Sequence, residues 1–217
     1  ARRRPRDTPS VCVSPVGVYT ALAISLDVAE GETASEIQRV LGYAENDGAS
    51  IRSQVLQIHS SLKREDDVVL DVATRLFYDC SLPLADTVGQ ETMMFAEACD
   101  FRRDPFSAAA RVNEWVSAHT HGKIRDMAKP DTNTVITLAN AVYFLARWWT
   151  PFLESDTRDL PFVGASGKEY LVPTMKCCSY MRFLPDCDAL GGATLIEMPY
   201  KGGAAGMLII LPPADAH

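Results

Sequence analysis

The chain has 217 residues, of which 47% are hydrophobic and 23% charged, and its formal net charge is -7. That balance suits a folded chain with an apolar core and excludes a mainly disordered polymer. The acidic excess argues against nucleic acid as a partner. The longest apolar stretches, Val16 to Val28 and Val135 to Leu145, are too short to span a bilayer as free helices, so no membrane partner is expected.

Ala1 to Pro9 carries Arg2, Arg3, Arg4 and Arg6 and reads as a solvated, disordered basic terminus, with a localisation signal or a processing site as the alternative. Val11-Cys12-Val13 reads as a short buried strand, in which Cys12 is a small hydrophobe. Ser14 before Pro15 is a helix start on physical grounds, because its hydroxyl can take an orphan backbone donor while proline fills the first turn. The helix it opens extends to Asp27. A second follows over Glu32 to Leu41 and stops at Gly42. Ile51, Val55, Ile58 and Leu62 recur at helical spacing and predict a third.

Val68 to Tyr78 alternates and reads as a strand. Ser107 to His119 is a helix whose cap is expected at Ser107. Val135 to Phe144 reads as a central strand, and it overlaps the nearly unbroken apolar run TLANAVYFLARWW, Thr137 to Trp149, which predicts a strand covered on both faces. A lone amide there, Asn140, must find partners or destabilise the fold; the alternative is a strand-end amide facing water. The last third predicts strands at Glu169 to Met175, Met181 to Leu184, Ala193 to Pro199 and Met207 to Leu211, with turns at Gly191-Gly192 and Gly202-Gly203. Helices feeding runs of strands indicate a mixed α+β fold without an internal linker over 10–217.

Six cysteines are scattered too widely for a dense disulfide scaffold. Only Cys178 with Cys187, across a turn expected at Pro185, merits consideration as a bridge. His119 and His121 have a spacing that can hold a metal, but their place at a helix end before Gly122 is explained by the helix dipole. No nucleophile elbow, phosphate-cradling glycine loop, zinc-type cysteine spacing or His-Glu-x-x-His helix is present. The expectation is therefore no enzymatic activity, no cofactor and no metal. Trp115 and Trp148 read as core aromatics.

Several blocks together resemble one family. They are Val112-Asn113-Glu114-Trp115-Val116 with Thr120-His121-Gly122-Lys123-Ile124, the run around Asn140 and Trp148, Val172-Pro173-Thr174-Met175, and Glu197-Met198-Pro199-Tyr200 leading to Leu211-Pro212. In this order and spacing, and with Ser14-Pro15 upstream, the chain from Ser10 to Pro213 resembles the serpins, the serine protease inhibitors. The resemblance implies an α+β, multi-sheet fold with helices packed on a large mixed sheet, and a chain holding somewhat over half of that domain, truncated before the reactive loop. It implies a parent function of trapping serine or cysteine endopeptidases by loop insertion. This chain, without that loop, is expected to be non-inhibitory as given. The alternatives are a non-inhibitory binding or storage protein on the same fold, or an incomplete gene product.

The same resemblance assigns Ser14 and Asn140 to a hydrogen-bonded shutter beneath the main sheet, and Trp148 to the breach where a loop begins to insert. Two departures bear on that mechanism: Gly17 replaces the shutter's second hydroxyl, and Leu145-Ala146 stands where the family usually has Lys-Gly. The protease is the partner implied for the full-length parent. The implied location is extracellular, with the cytoplasm as the alternative.

Overall fold

Strand β1, Val68–Asp79, sets the architecture because its two faces bury different partners. In this computed structural model, which describes residues 11–42, 57, 67–84, 88, 90–164, 167–203 and 205–213, odd-numbered residues of β1 face one helix and even-numbered residues another. Such alternation follows from the twofold period of an extended chain. Phe77 joins Cys99, Phe101, Ala108, Val112, Trp115, Val116, Ala139 and Ala141 in one cluster. Leu76 and Tyr78 join Ile24, Leu84 and Val88 in another.

The two helices involved are α1, Pro15–Leu26, and α4, Pro105–His119. Between them in the chain come α2, Gly31–Leu41, α3, Gln90–Met93, and β2, Ala96–Cys99. Strand β3, Ile136–Ala146, completes a three-stranded sheet in the order β2-β1-β3, with β1 and β2 parallel. The sheet is thus a layer between α4 on one side and α1 on the other. Helix α2 closes over α1 through Ala34, Ile37 and Leu41 against Ala23 and Leu26, and ends at Gly42, whose left-handed φ of 78° suits glycine. Thr92 of α3 donates a hydrogen bond to Asp27, fixing α3 to the end of α1.

Val13–Arg64 and Leu70–Phe144 make up one compact unit; Leu145–His217 makes up most of a second. The second unit holds β4, Arg158–Val163, paired antiparallel with β5, Glu169–Thr174. It also holds β6, Arg182–Cys187, β7, Ala193–Pro199, and β8, Gly206–Leu211, in an antiparallel sheet with β7 central. The α+β, multi-sheet reading of the sequence is what the chain builds.

Several expectations change in detail. The cap of α4 is Asp104, three residues before Ser107, and Pro105 takes the first helical turn; Asp104 accepts the Ser107 N–H at 3.1 Å. A hydrogen bond from the Ser107 hydroxyl, and after it this N–H, hold the Asp104 carboxyl below its ordinary pKa against a smaller opposing effect of burial. Strand β3 is covered on both faces only around its middle: Ala139 and Ala141 face α4 and Leu138 faces α1, while Ile136, Phe144 and Leu145 are exposed. It is also the outer strand of its described sheet and not a central one. Val11 to Val13 forms no strand and is exposed, Cys12 included, because no described backbone lies beside it to complete a ladder.

All six cysteines are free. The chain does not turn back at Pro185. Strand β6 continues through it to Cys187 with an irregularity after Leu184, Asp186 taking a left-handed φ of 47°. Of the helix predicted over Ile51 to Leu62 only Gln57 is described, and it is helical; the rest of that segment and the basic terminus lie outside the described residues.

Candidate functional site

Ser14 takes an extended conformation and its hydroxyl accepts the Gly17 N–H at 3.1 Å, capping α1 as the Ser-Pro pair predicts. It does not bond to Asn140. The amide of Asn140 donates to Thr74 Oγ1 at 2.8 Å and to the Ala73 carbonyl at 3.1 Å, so it clips β3 to β1. Gly17 explains the direction. A methyl group on it would lie 2.0 Å from Asn140 Oδ1. With hydrogen there instead, the amide oxygen packs against α1 and the NH2 group is turned toward β1. The partner expected in Ser14 is therefore Thr74, which is itself 5% exposed.

The residues that carry the α4 motif each have a local task. Asn113 Oδ1 accepts the N–H groups of Met127 and Ala128 at 2.8 and 2.7 Å, and its NH2 donates to Ala128 O at 2.9 Å. This ties the helix to the chain that returns toward β3. Thr120 Oγ1 donates to Val116 O at 2.8 Å and accepts the Ile124 N–H at 3.1 Å, satisfying groups left open where the helix stops. Gly122 follows with φ 73°. Trp115 is buried and meets Phe77 edge-on at 5.9 Å, in agreement with its core role.

His119 and His121 are turned to different neighbours. His119 Nδ1 bonds to Trp115 O at 2.9 Å, and His121 Nε2 lies 2.7 Å from Asp71 Oδ2, its ring tilted by 38° against that of Tyr143 with centroids 4.2 Å apart. Neither ring nitrogen pair converges on a shared point, so the spacing alone was a poor guide to their chemistry.

A second constellation was not foreseen. Glu97 of β2 accepts from Arg75 Nη1 of β1 at 2.6 Å and from Arg111 Nε of α4, and Arg75 lies over the Trp115 ring at 6.0 Å. Burial works to raise the Glu97 pKa, but hydrogen bonds from Arg111 and Arg75, with their charges, outweigh it and the net shift is downward. The available signal was weak: β2 reads Ala-Glu-Ala-Cys, where a charge in the middle disguises the strand.

Trp148 lies just past β3 in the second unit. It stacks on Tyr200 at 4.6 Å with 20° between the rings and meets Phe152 edge-on at 6.1 Å. The backbone is stitched to the end of β7 on both sides, Trp149 N–H donating to Pro199 O at 3.0 Å and Lys201 N–H to Arg147 O at 2.8 Å. Lys201 also reaches Asp67 at 3.1 Å. Burial of Tyr200 raises its phenol pKa. The result is a half-buried aromatic platform held by main-chain hydrogen bonds, where the sequence reading expects a core aromatic at the end of a buried strand.

A sheet layered between two helices, together with separate antiparallel sheets, defines a multi-sheet α+β protein. The family model described as serpin (serine protease inhibitor) matches residues 3–217, and the chain belongs to that family. It is 34% identical over 213 residues to an uncharacterized serpin-like protein of Thermococcus kodakarensis, covering 94% of this chain and 48% of that protein. It is 32% identical over 221 residues to serine protease inhibitor 2 of Anopheles gambiae, covering 95% and 53%. Among solved structures, emu ovalbumin (Dromaius novaehollandiae) has the same fold, with a TM-score of 0.81 at 22% identity over 94% of this chain and 57% of that one. The chain thus spans about half the length of the curated relatives it matches.

Proposed function

We propose that the parent protein inhibits serine or cysteine endopeptidases by conformational trapping. In that reaction the protease cleaves a bait loop, the loop enters the main sheet as an added strand, and the attached enzyme is distorted before the acyl link is hydrolysed. The observation that carries this reading is the family match joined to the position of β3 as the outermost strand of its described sheet, the place where an added strand would pair. Ser14, Asn140 and Trp148 are the residues we assign to sheet opening: Ser14 as the cap that fixes α1, Asn140 as the clip between β3 and β1, and Trp148 as the aromatic platform beyond β3. The chain itself has no enzymatic activity in this account.

The 217 residues by themselves are expected not to trap a protease, since the segments assigned here supply the receiving sheet and not the bait. The test is incubation with trypsin-like, chymotrypsin-like and papain-like proteases, followed by denaturing electrophoresis. The serpin-length parent should give a detergent-resistant band at the summed mass with one of them, and the 217-residue chain none. A parent cleaved without any such band would favour the second reading, a non-inhibitory binding or storage protein. That reading draws on Gly17 and on Leu145-Ala146, where the sequence departs from the family at the places that open.

A further inference from the structure

The parallel strands β1 and β2 end side by side, with Asp79 opposite Cys99 in the ladder and Cys80 one position beyond. Cys80 N–H donates to Cys99 O at 2.8 Å. That hydrogen bond, with ordinary covalent geometry, keeps the two Cα atoms within about 6.7 Å of each other, inside the roughly 4.4 to 6.8 Å that a disulfide spans. Cys80 also opens a reverse turn, closed by Leu82 N–H donating to Asp79 O at 2.9 Å, so the alternation that sets strand neighbours on opposite faces stops before it. The buried Asp79 carboxylate holds both strand exits in place: it accepts the Ser81 N–H at 3.0 Å, just after Cys80, and the Arg102 N–H at 3.2 Å, shortly after Cys99. These two are the only cysteines in the sequence of the unit formed by Val13–Arg64 and Leu70–Phe144.

The two thiols are both free but differ in access, Cys80 being exposed and Cys99 buried. Burial, ahead of the charges of Glu97 and Cys80, pushes the Cys99 thiol up in pKa against the opposing charge of Arg111. Cys99 is thus kept protonated, and the influence of the Cys80 charge on it places the two sulfurs within electrostatic reach. We propose that Cys80 and Cys99 form a redox clasp across the ends of β1 and β2, in which the exposed Cys80 reacts with a low-molecular-weight disulfide and the buried Cys99 resolves the product. In the first step the Cys80 thiolate attacks one sulfur of the small disulfide, whose S–S bond breaks and releases one small thiolate. In the second, Cys99 loses its proton and attacks the Cys80 sulfur; the Cys80 to Cys99 bond forms and the second small thiolate leaves. Two cysteine thiols are oxidised and one small disulfide is reduced to two thiols. Capping Cys80 removes the charge that opposed ionisation of Cys99, so the first step favours the second. The product ties β2, an outer strand of its described sheet, to the end of β1 and closes a loop that contains α3. The clasp stands independently of the inhibitory reading.

The test is treatment of the 217-residue chain with oxidised glutathione under native conditions, followed by alkylation of the remaining thiols, digestion and mass spectrometry. The expected product is a peptide pair linked through Cys80 and Cys99, formed in most molecules and reversed by a reductant. In Cys99→Ser, the mixed disulfide with glutathione should accumulate on Cys80, and in Cys80→Ser, Cys99 should react at least about tenfold more slowly than Cys80 does in the unaltered chain, because burial shields it. Glutathione that stays on Cys80 of the unaltered chain without linkage, a bond from Cys80 to any other cysteine, or no reaction at either thiol would overturn the proposal. Where Cys99→Ser does not fold, the order of events is read on the unaltered chain: a mixed disulfide on Cys80 that appears first and decays into the linked pair supports the clasp, and glutathione found first on Cys99 contradicts it.

Discussion

The sheets β2-β1-β3 and β6-β7-β8 have three strands each, yet they hide their apolar residues to very different degrees. In the first, Leu76 and Phe77 are 1% and 0% exposed, since α1 and α4 each cover a face. In the second, β7 buries Ala193 and Met198 between its neighbours, but Ile209 and Ile210 of β8 are 44% and 49% exposed. Strand chemistry does not account for the contrast, for β8 reads Gly-Met-Leu-Ile-Ile-Leu and is the more apolar strand. Burial here comes from what packs on a strand rather than from what the strand contains.

The largest effect expected from that contrast is at Phe77. Phe77→Ala should destabilise the fold by about 3 to 5 kcal/mol, whereas Phe162→Ala in the exposed strand β4 should cost under about 0.5 kcal/mol. Denaturant melts of both variants check this, and equal losses would break the comparison. Asn140→Leu should cost about 1 to 3 kcal/mol because it strands the buried Thr74 hydroxyl. Its effect should be strongly non-additive with Thr74→Val and additive with Ser14→Ala, since Ser14 serves its own helix. A double-mutant cycle with the opposite pattern would restore the Ser14 pairing.

Gly17→Ala is the next smaller test. A helix interior gains about 1 kcal/mol from replacing glycine by alanine, but here the added methyl meets Asn140 and the net effect should be a loss. In an Asn140→Ala background the sign should reverse to a gain. Melts of the two pairs decide it.

The smallest effect is at Asp79, which is 1% exposed. A hydrogen bond from the Ser81 hydroxyl lowers its pKa most; burial works against that, and the Ser81 and Arg102 N–H groups and the Arg102 charge add to the lowering. Its folded pKa is below the unfolded one, so its contribution is complete above the usual aspartate range near pH 4 and disappears as pH falls through the folded value. Asp79→Asn should therefore flatten the acid limb of a stability-versus-pH series below about pH 4. A variant whose acid limb keeps the slope of the original would show that Asp79 is not a source of it.

Much of the first unit was legible from sequence because its signals are local. Ser14-Pro15 opens α1, Gly42 closes α2, and alternation marks β1. Partners distant in sequence were not legible. Asn140 announced itself as one amide in an apolar run, but Thr74 lies 66 positions away and differs from Ser14 only in three-dimensional placement. Strand β2 escaped because Glu97 interrupts its pattern and becomes intelligible only once Arg75 and Arg111 converge on it. Strand β4 escaped because Pro161 speaks against a strand, which a two-stranded pair tolerates where the missing N–H has no neighbour to serve.

The central claim is that cover by helices on both faces, and not strand composition, makes β2-β1-β3 the stable sheet of this chain. Residue-resolved hydrogen exchange of the unaltered protein measures it directly. The account predicts that amides of Leu76, Phe77 and Tyr78 exchange more slowly than those of β4, β5 and β8 by on the order of a thousandfold. Equal protection in β8 and β1 would contradict it.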